Sequence, residues 1–177
     1  SVTTLMRPLS EAHYGGIDPE TLERAADRGT AVHQAIENYV KFSIIDIEPE
    51  LEGYVNAFLA WMKDYDVKPF AAESKVYHKL LRYAGTVDMG CEEKGVDTMV
   101  DFKTTSSIIP MLVGVQLEAY VRAEESHGMN YKNKVALQLK SDGTYRRYTG
   151  KDLPPKTECW KAFGSLLNIA GFIQKYK

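Results

Sequence analysis

Three carboxylates and a lysine stand out in the middle of the chain, where short stretches alternate in the manner of β-strands: Glu73, Asp88, Asp101 and Lys103. Asp-x-Lys patterns arise by chance, but Asp101-Phe102-Lys103 is distinguished because Met99 and Val100 lead into it on an apolar strand. Clustered carboxylate oxygens suit Mg²⁺ or Mn²⁺. A lysine beside such an ion can position or help deprotonate an attacking water, or stabilise the leaving charge. These residue types therefore indicate metal-dependent hydrolysis of a phosphodiester.

The spacing predicts that these side chains share one face of a sheet. If the second and third strands turn about Lys94-Gly95, the numbers of opposed residues sum to 189 and Asp88 lies opposite Asp101. A similar turn between the first and second strands gives a sum of 161 and places Glu73 opposite Asp88. Lys103 follows two residues later on the same face. Carboxylates in such a row repel one another, so a cation is expected among them.

Hydrophobic periodicity and turn residues predict the elements that hold these side chains. Asp18 and Pro19 begin a helix as N-cap and first helical residue, and Gly29 is expected to kink or break it. Asp142-Gly143 predicts a tight hairpin. Helices are expected over residues 19–40, 49–68, 110–126 and 155–176, and strands over 70–78, 83–90, 95–104, 134–140 and 144–149. This order predicts a single α/β (α+β) domain over residues 1–177 with a mixed or largely antiparallel sheet.

The composition is that of an ordinary folded domain, with 177 residues of which 44% are apolar and 26% charged, and it excludes disordered and collagen-like chains. No apolar run reaches the roughly 18 residues of a membrane span, and the first residues lack a signal peptide's apolar stretch. We therefore expect a cytoplasmic protein without membrane contact. The net charge of −2 divides unevenly, with 12 basic against 21 acidic residues up to position 129 and 10 against 3 beyond it. The basic part is expected to contact DNA, with simple solvation of a hairpin as the alternative.

Five motifs in order carry a family resemblance: Arg28-Gly29-Thr30-Ala31-Val32-His33, then Glu73, then Gly85-Thr86-Val87-Asp88, then Val100-Asp101-Phe102-Lys103-Thr104, then Gln116-Leu117-Glu118-Ala119-Tyr120. Together they resemble the RecB-like branch of the PD-(D/E)XK nuclease superfamily, in the form found in phage and prophage exonucleases. The resemblance implies a restriction-endonuclease-like core in which helices flank a central mixed sheet.

The resemblance also implies a role for each matched residue. The metal ligands would be His33, Asp88, Asp101 and the Phe102 backbone carbonyl, with Glu73 completing the acidic site directly or through water. Lys103 would be the catalytic lysine. Gln116 and Tyr120, four residues apart on one helix face, would line the site and contact DNA or order the metal shell. Further substrate contacts are expected from Arg28, Thr104 and Lys140.

The cofactor implied is Mg²⁺ or Mn²⁺, as one or two ions. Some relatives of this kind carry a four-cysteine iron–sulfur cluster, but Cys91 and Cys159 are too few to hold one. The expected substrate is DNA, single- or double-stranded, at linear ends in recombination, repair or phage DNA metabolism, within a bacterial or phage-infected cell. A recombination protein is the expected partner.

Other interpretations remain open at this stage. His33 alone, beside Val32 on a helix, is more often a packed histidine than a ligand, and Gln116 and Tyr120 are ordinary residues of an amphipathic helix. Two alternative functions are a structure-specific or single-strand endonuclease of the same fold and a catalytically silent DNA-binding module. Cleavage of closed circles distinguishes the first alternative, and DNA binding without metal binding distinguishes the second.

Overall fold

A computed structural model describes residues 1–176 of the chain. The helices are α1 (Val2–Leu5), α2 (Arg7–Tyr14), α3 (Pro19–Phe42), α4 (Glu52–Asp64), α5 (Pro110–Glu125) and α6 (Lys156–Lys175). The strands are β1 (Val67–Tyr77), β2 (Ala84–Glu93), β3 (Val96–Lys103), β4 (Asn133–Leu139) and β5 (Tyr145–Tyr148). Short 3₁₀ turns occupy Pro49–Leu51 and Gly150–Asp152.

The five strands form one mixed sheet in the order β1-β2-β3-β4-β5. The β3–β4 pair is parallel because α5 crosses over between these strands, and the other pairs are antiparallel hairpin neighbours. One apolar cluster joins the sheet to α1, α5 and α6, and a second joins it to α3 and α4. The prediction of a mixed sheet flanked by helices is therefore confirmed.

The first two helices were not predicted, and α3 differs from its prediction in one respect. Asp18 is the N-cap as expected, since its Oδ2 accepts a hydrogen bond of 2.9 Å from the Thr21 N–H. The helix then continues unbroken through Gly29, so the predicted break is wrong. A Cβ at Gly29 would lie 3.8 Å from Oγ1 of Thr104, so this glycine lies where α3 approaches the end of β3.

The strand register agrees with the sequence prediction around the acidic residues. Paired residues of β2 and β3 sum to 189, from Met89–Val100 to Glu93–Val96. Paired residues of β1 and β2 sum to 161 between Ala71 and Tyr77, while a bulge lowers the sum to 160 nearer the start of β1. The bulge lies beside Pro69, which the edge position of β1 tolerates. The register therefore places Glu73, Asp88 and Asp101 at adjacent positions on three neighbouring strands.

The side chains of β3 alternate between the two apolar clusters. Val100 and Phe102 belong to the cluster of α3 and α4, where the Phe102 ring contacts Phe58 and Trp61 edge to face. Asp101 and Lys103 lie on the other side of the strand, towards α5. Across residues 1–176, no helix combines the length and apolar character that a membrane span requires.

Candidate metal centre and its cleft

Three side chains from three elements converge at one end of the sheet. Nδ1 of His33, on α3, lies 3.4 Å from Oε1 of Glu73, on β1, and 3.6 Å from Oδ1 of Asp88, on β2. One ligand atom from each residue lies within 4.8 Å of the other two. An imidazole nitrogen with two carboxylates is a donor set that can hold a divalent cation. The structure therefore brings together three of the predicted ligands, His33, Glu73 and Asp88.

Each of these three side chains is held in place by its surroundings. The His33 ring contacts Phe102 edge to face, with centroids 5.8 Å apart. Oδ2 of Asp88 accepts a hydrogen bond of 2.7 Å from the Phe102 backbone N–H, so Oδ1 is left for His33. Glu73 has a φ of +48°, a conformation that is uncommon for residues with a Cβ and that clusters at functional sites. Sequence reasoning did not foresee this conformation.

Asp101, also predicted as a metal ligand, is not among the three residues whose ligand atoms converge within 4.8 Å of one another. Its Oδ2 lies 2.5 Å from Nζ of Lys103, and the carboxylate is only 1% exposed. Asp101 and Lys103 lie on the same face of β3, towards α5. Lys103 is the cation that faces this buried carboxylate, which would be costly without such a partner.

The electrostatics of the site are those of crowded carboxylates. Burial, and next the charge of Asp101, raise the pKa of Asp88 to about 7, against the opposing effects of His33 and Lys103. Burial alone would lower the pKa of His33, but the charge of Asp88 and the hydrogen bond with Glu73 raise it overall. Negative charge therefore accumulates here beyond what the two basic groups neutralise.

Lys103 is also governed by its acidic neighbours. Burial lowers its pKa, but the charges of Asp101 and Asp88 outweigh burial, so the pKa is raised overall. Lys103 is thus an ammonium at neutral pH. A protonated lysine can orient a water or stabilise negative charge, whereas a general base would have to be neutral.

Gln116 and Tyr120 of α5 extend this network away from Lys103. Lys103 donates to Oε1 of Gln116 at 3.4 Å, and Nε2 of Gln116 donates to the Tyr120 hydroxyl at 3.2 Å. Tyr120 is only 3% exposed, so its buried ring keeps in place the hydroxyl that Gln116 contacts. Gly85 makes room for that ring, because a Cβ at this position would overlap the edge of Tyr120. The structure therefore brings both predicted helix residues to the site.

The predicted substrate-binding residues line two clefts that share the segment after β3. The first cleft, of about 430 Å³, runs between α3 and the end of β3 and contains His33 and Glu73. The second, of about 560 Å³, contains Arg28 and Lys140. Thr104 and Thr105 line both. Among residues 1–176, neither Arg28 nor Lys140 forms a salt bridge, so both cations are available along this surface.

Part of the basic segment has a structural role instead. Lys134 pairs with the buried carboxylate of Glu118, and Arg147 lies 2.5 Å from Oε2 of the buried Glu93. These two cations are needed because an unpaired buried carboxylate is strongly destabilising. Lys134 and Arg147 therefore stabilise buried carboxylates, and Lys140 of the same segment lines the second cleft.

One residue that sequence reasoning missed is Gln138 of β4. Its Nε2 donates to the backbone carbonyls of Thr105 at 2.8 Å and Ser106 at 2.9 Å, and its Oε1 accepts from Tyr148 at 3.4 Å. The side chain is buried and fixes the loop that follows Lys103. A lone amide within the apolar run Val135-Ala136-Leu137-Gln138-Leu139 was the available signal, since a buried polar group needs partners.

Both cysteines are buried and free, and they lie in different apolar clusters, Cys159 with α5 and α6 and Cys91 with α3 and α4.

No protein-family model matches the sequence, and no curated protein matches it. Among solved structures, the one titled "Crystal structure of SSO0001" is similar at a TM-score of 0.38 and 9% identity, over 94% of this chain and 85% of that one. A likeness at this level carries no argument about fold family or function.

Proposed function

We propose that the protein is a divalent-metal-dependent deoxyribonuclease with a PD-(D/E)XK core of the RecB-like type, which hydrolyses phosphodiester bonds at linear DNA ends. The observation that carries the proposal is the convergence of His33, Glu73 and Asp88 next to the buried pair of Asp101 and Lys103. This combination of ligands, excess negative charge and an adjacent ammonium group suits metal-assisted phosphodiester hydrolysis.

His33, Glu73 and Asp88 are the residues that would hold Mg²⁺ or Mn²⁺, with Asp101 and the Phe102 carbonyl beside them. When bound, the ion supplies Lewis acidity and a bound water that loses its proton more readily than bulk water. Lys103, as an ammonium, holds the attacking water in position or stabilises charge on the phosphate oxygens. Gln116 fixes the Lys103 side chain through its Oε1, and Tyr120 fixes Gln116.

The clefts support a nucleic-acid substrate. Arg28 and Lys140, which form no salt bridge within residues 1–176, line the second cleft, and this cleft shares Thr104 and Thr105 with the one that contains His33 and Glu73. Phosphate contacts of this kind fix the register of a nucleic acid without reading its sequence. Binding is therefore expected to weaken as the salt concentration rises.

The buried carboxylate of Asp101 argues against a catalytically silent DNA-binding module. It is buried and paired with Lys103, and its charge together with burial drives Asp88 towards its neutral form. A surface that only binds DNA gains nothing from such repulsion, because carboxylates also repel phosphate. A site that recruits a cation gains affinity from the same repulsion.

The proposal is tested by incubating end-labelled linear DNA, single- and double-stranded, with the protein and Mg²⁺ or Mn²⁺. Asp88→Asn and Lys103→Met are expected to lower the cleavage rate on the order of 100-fold or more, as loss of a charge-stabilising group does elsewhere. Asp97→Asn is the matched control, since Asp97 is exposed at the far end of β3 and should leave the rate unchanged. Undiminished cleavage by both site variants contradicts the assignment. Cleavage of covalently closed circles would favour the endonuclease alternative.

A further inference from the structure

A second cavity opens from the opposite side of Lys103. It has a volume of about 150 Å³ and lies between α1, α2, α5 and the loop that follows β3. Its inner wall is apolar and includes Met6, Ile108, Ile109, Leu112 and Val113. Its polar lining includes Tyr14, Lys103 and Gln116, and Lys103 also lines the cleft that contains His33 and Glu73.

The dimensions of this cavity restrict what it can hold. An apolar cavity of about 150 Å³ accommodates one six-membered aromatic ring, whereas sites for whole drug-sized ligands run to about 300 Å³ or more. The cavity is therefore too small for a complete nucleotide. It suits one planar ring whose attached groups remain outside, on the side of Lys103 and the acidic cluster.

We propose that this cavity receives the base of the terminal nucleotide, stacked against Tyr14, while the phosphate to be cut lies at Lys103. The inference rests on the proposed function and specifies how that site would recognise a DNA end. Tyr14 packs partly against the apolar cluster of α5 and α6, which restrains its ring. Its phenol hydroxyl has no hydrogen-bond partner within residues 1–176.

The position of the cavity favours a terminal base over an internal one. Helices α1, α2 and α5 supply most of the lining, and Lys103 lies where it meets the candidate metal centre. A base in the middle of a duplex would have to be flipped out against its pairing and stacking, while an end base has fewer partners to lose. A cavity that binds an end base therefore favours linear DNA over closed circles.

The test compares oligonucleotides whose terminal nucleotide carries a base with identical ones whose terminal nucleotide is abasic, at the 5′ end and, separately, at the 3′ end. Binding is measured by fluorescence anisotropy with Ca²⁺, and cleavage with Mg²⁺. At one of the two ends, loss of the base is expected to weaken binding about tenfold, the usual range for one base stacked on an aromatic side chain. A terminal pyrimidine is expected to bind more tightly than a purine, because the cavity fits one ring.

Variants locate the effect. Tyr14→Ala is expected to bind ordinary and abasic ends equally, at the level of the wild type on abasic ends, and Tyr14→Phe is expected to retain the preference because it keeps the ring. Tyr176→Ala, which removes an exposed tyrosine from the end of α6, serves as the control and should behave as the wild type. The wild-type comparison needs no substitution, so it remains decisive even where Tyr14→Ala folds poorly.

The outcomes separate the two proposals. Equal binding and equal cleavage of ordinary and abasic ends at both termini, with cleavage present, overturns the base cavity and leaves the nuclease standing. A tenfold preference that persists in Tyr14→Ala, or a preference for purines, also overturns it. If the wild type cuts no DNA with either metal, the proposed function itself fails.

Discussion

Replacing Asp88 by asparagine should stabilise the metal-free protein while removing a metal ligand. Burial and the charge of Asp101 raise the pKa of Asp88 from 3.8 to about 7, which means that the folded state resists ionisation of this group. Asparagine carries no charge, and its side-chain oxygen can still accept the hydrogen bond that the Phe102 N–H donates to Oδ2 of Asp88. Its effect on stability should therefore be opposite to that of most substitutions at buried polar positions.

The expected size follows from the pKa. A shift of about 3 units at 1.36 kcal/mol each gives about 4 kcal/mol as an upper limit at pH 8. That shift already includes the attraction of His33 and Lys103 for the ionised carboxylate, so we expect a gain of about 2 to 4 kcal/mol, or roughly 5 to 15 °C in the midpoint of unfolding.

The pH dependence has a definite sign. Because the folded state binds the proton more tightly than the unfolded state, this group lowers wild-type stability as the pH rises from 3.8 to about 7, and the full penalty remains above pH 7. The advantage of Asp88→Asn should therefore be largest at pH 8. At pH 5, which lies only about 1 unit above the unfolded-state pKa of 3.8, the stability advantage of the variant should be less than half of its value at pH 8.

Thermal unfolding of the wild type and Asp88→Asn with a chelator, at pH 5 and pH 8, measures this difference, and Asp97→Asn is the control with no expected change. Addition of Mn²⁺ at pH 8 should then raise the midpoint of the wild type and leave that of Asp88→Asn nearly unchanged. A variant less stable than the wild type at pH 8, or an advantage that does not depend on pH, would refute the reasoning.

Three further substitutions probe the supports of the site. Gly85→Ala should displace the Tyr120 ring, lower the free energy of unfolding by about 1 to 3 kcal/mol and reduce the cleavage rate. The control is Gly164→Ala on α6, where a Cβ meets nothing within 4 Å, and it should be neutral or stabilising in the same unfolding and cleavage assays. Gln138→Leu leaves two loop carbonyls without donors, so unfolding measurements should show a loss of about 1 to 3 kcal/mol, and a normal midpoint would contradict this role. Arg28→Ala should weaken DNA binding and lower the slope of log affinity against log salt by about 1, and an unchanged slope would show that Arg28 contacts no phosphate.

Prediction from the sequence was most accurate for the strand register, where the hydrophobic periodicity and the positions of the acidic residues led to the same pairing. The alternating strands and the tight turn at Lys94-Gly95 indicated the register that places Glu73, Asp88 and Asp101 on neighbouring strands, because a one-residue slip would expose the apolar side chains. The bulge beside Pro69 did not disturb this prediction, since it lies before Glu73 in β1.

Other features depend on tertiary contacts that no local pattern encodes. Gly29 was expected to kink or break a helix, yet α3 continues through it, close to Thr104 after the end of β3. The pairing of Asp101 with Lys103 depends on which side of β3 faces α5, and the role of Gln138 depends on a loop more than thirty residues earlier in the chain. The cavity beside Tyr14 is formed by helices that were not predicted at all.

The most direct test of the account is the anomalous diffraction of crystals grown with Mn²⁺. The account predicts a manganese peak within coordination distance of Nδ1 of His33 and carboxylate oxygens of Glu73 and Asp88, with the Lys103 ammonium adjacent. Absence of a peak at this position at saturating Mn²⁺, or a peak that persists unchanged in Asp88→Asn, would contradict it.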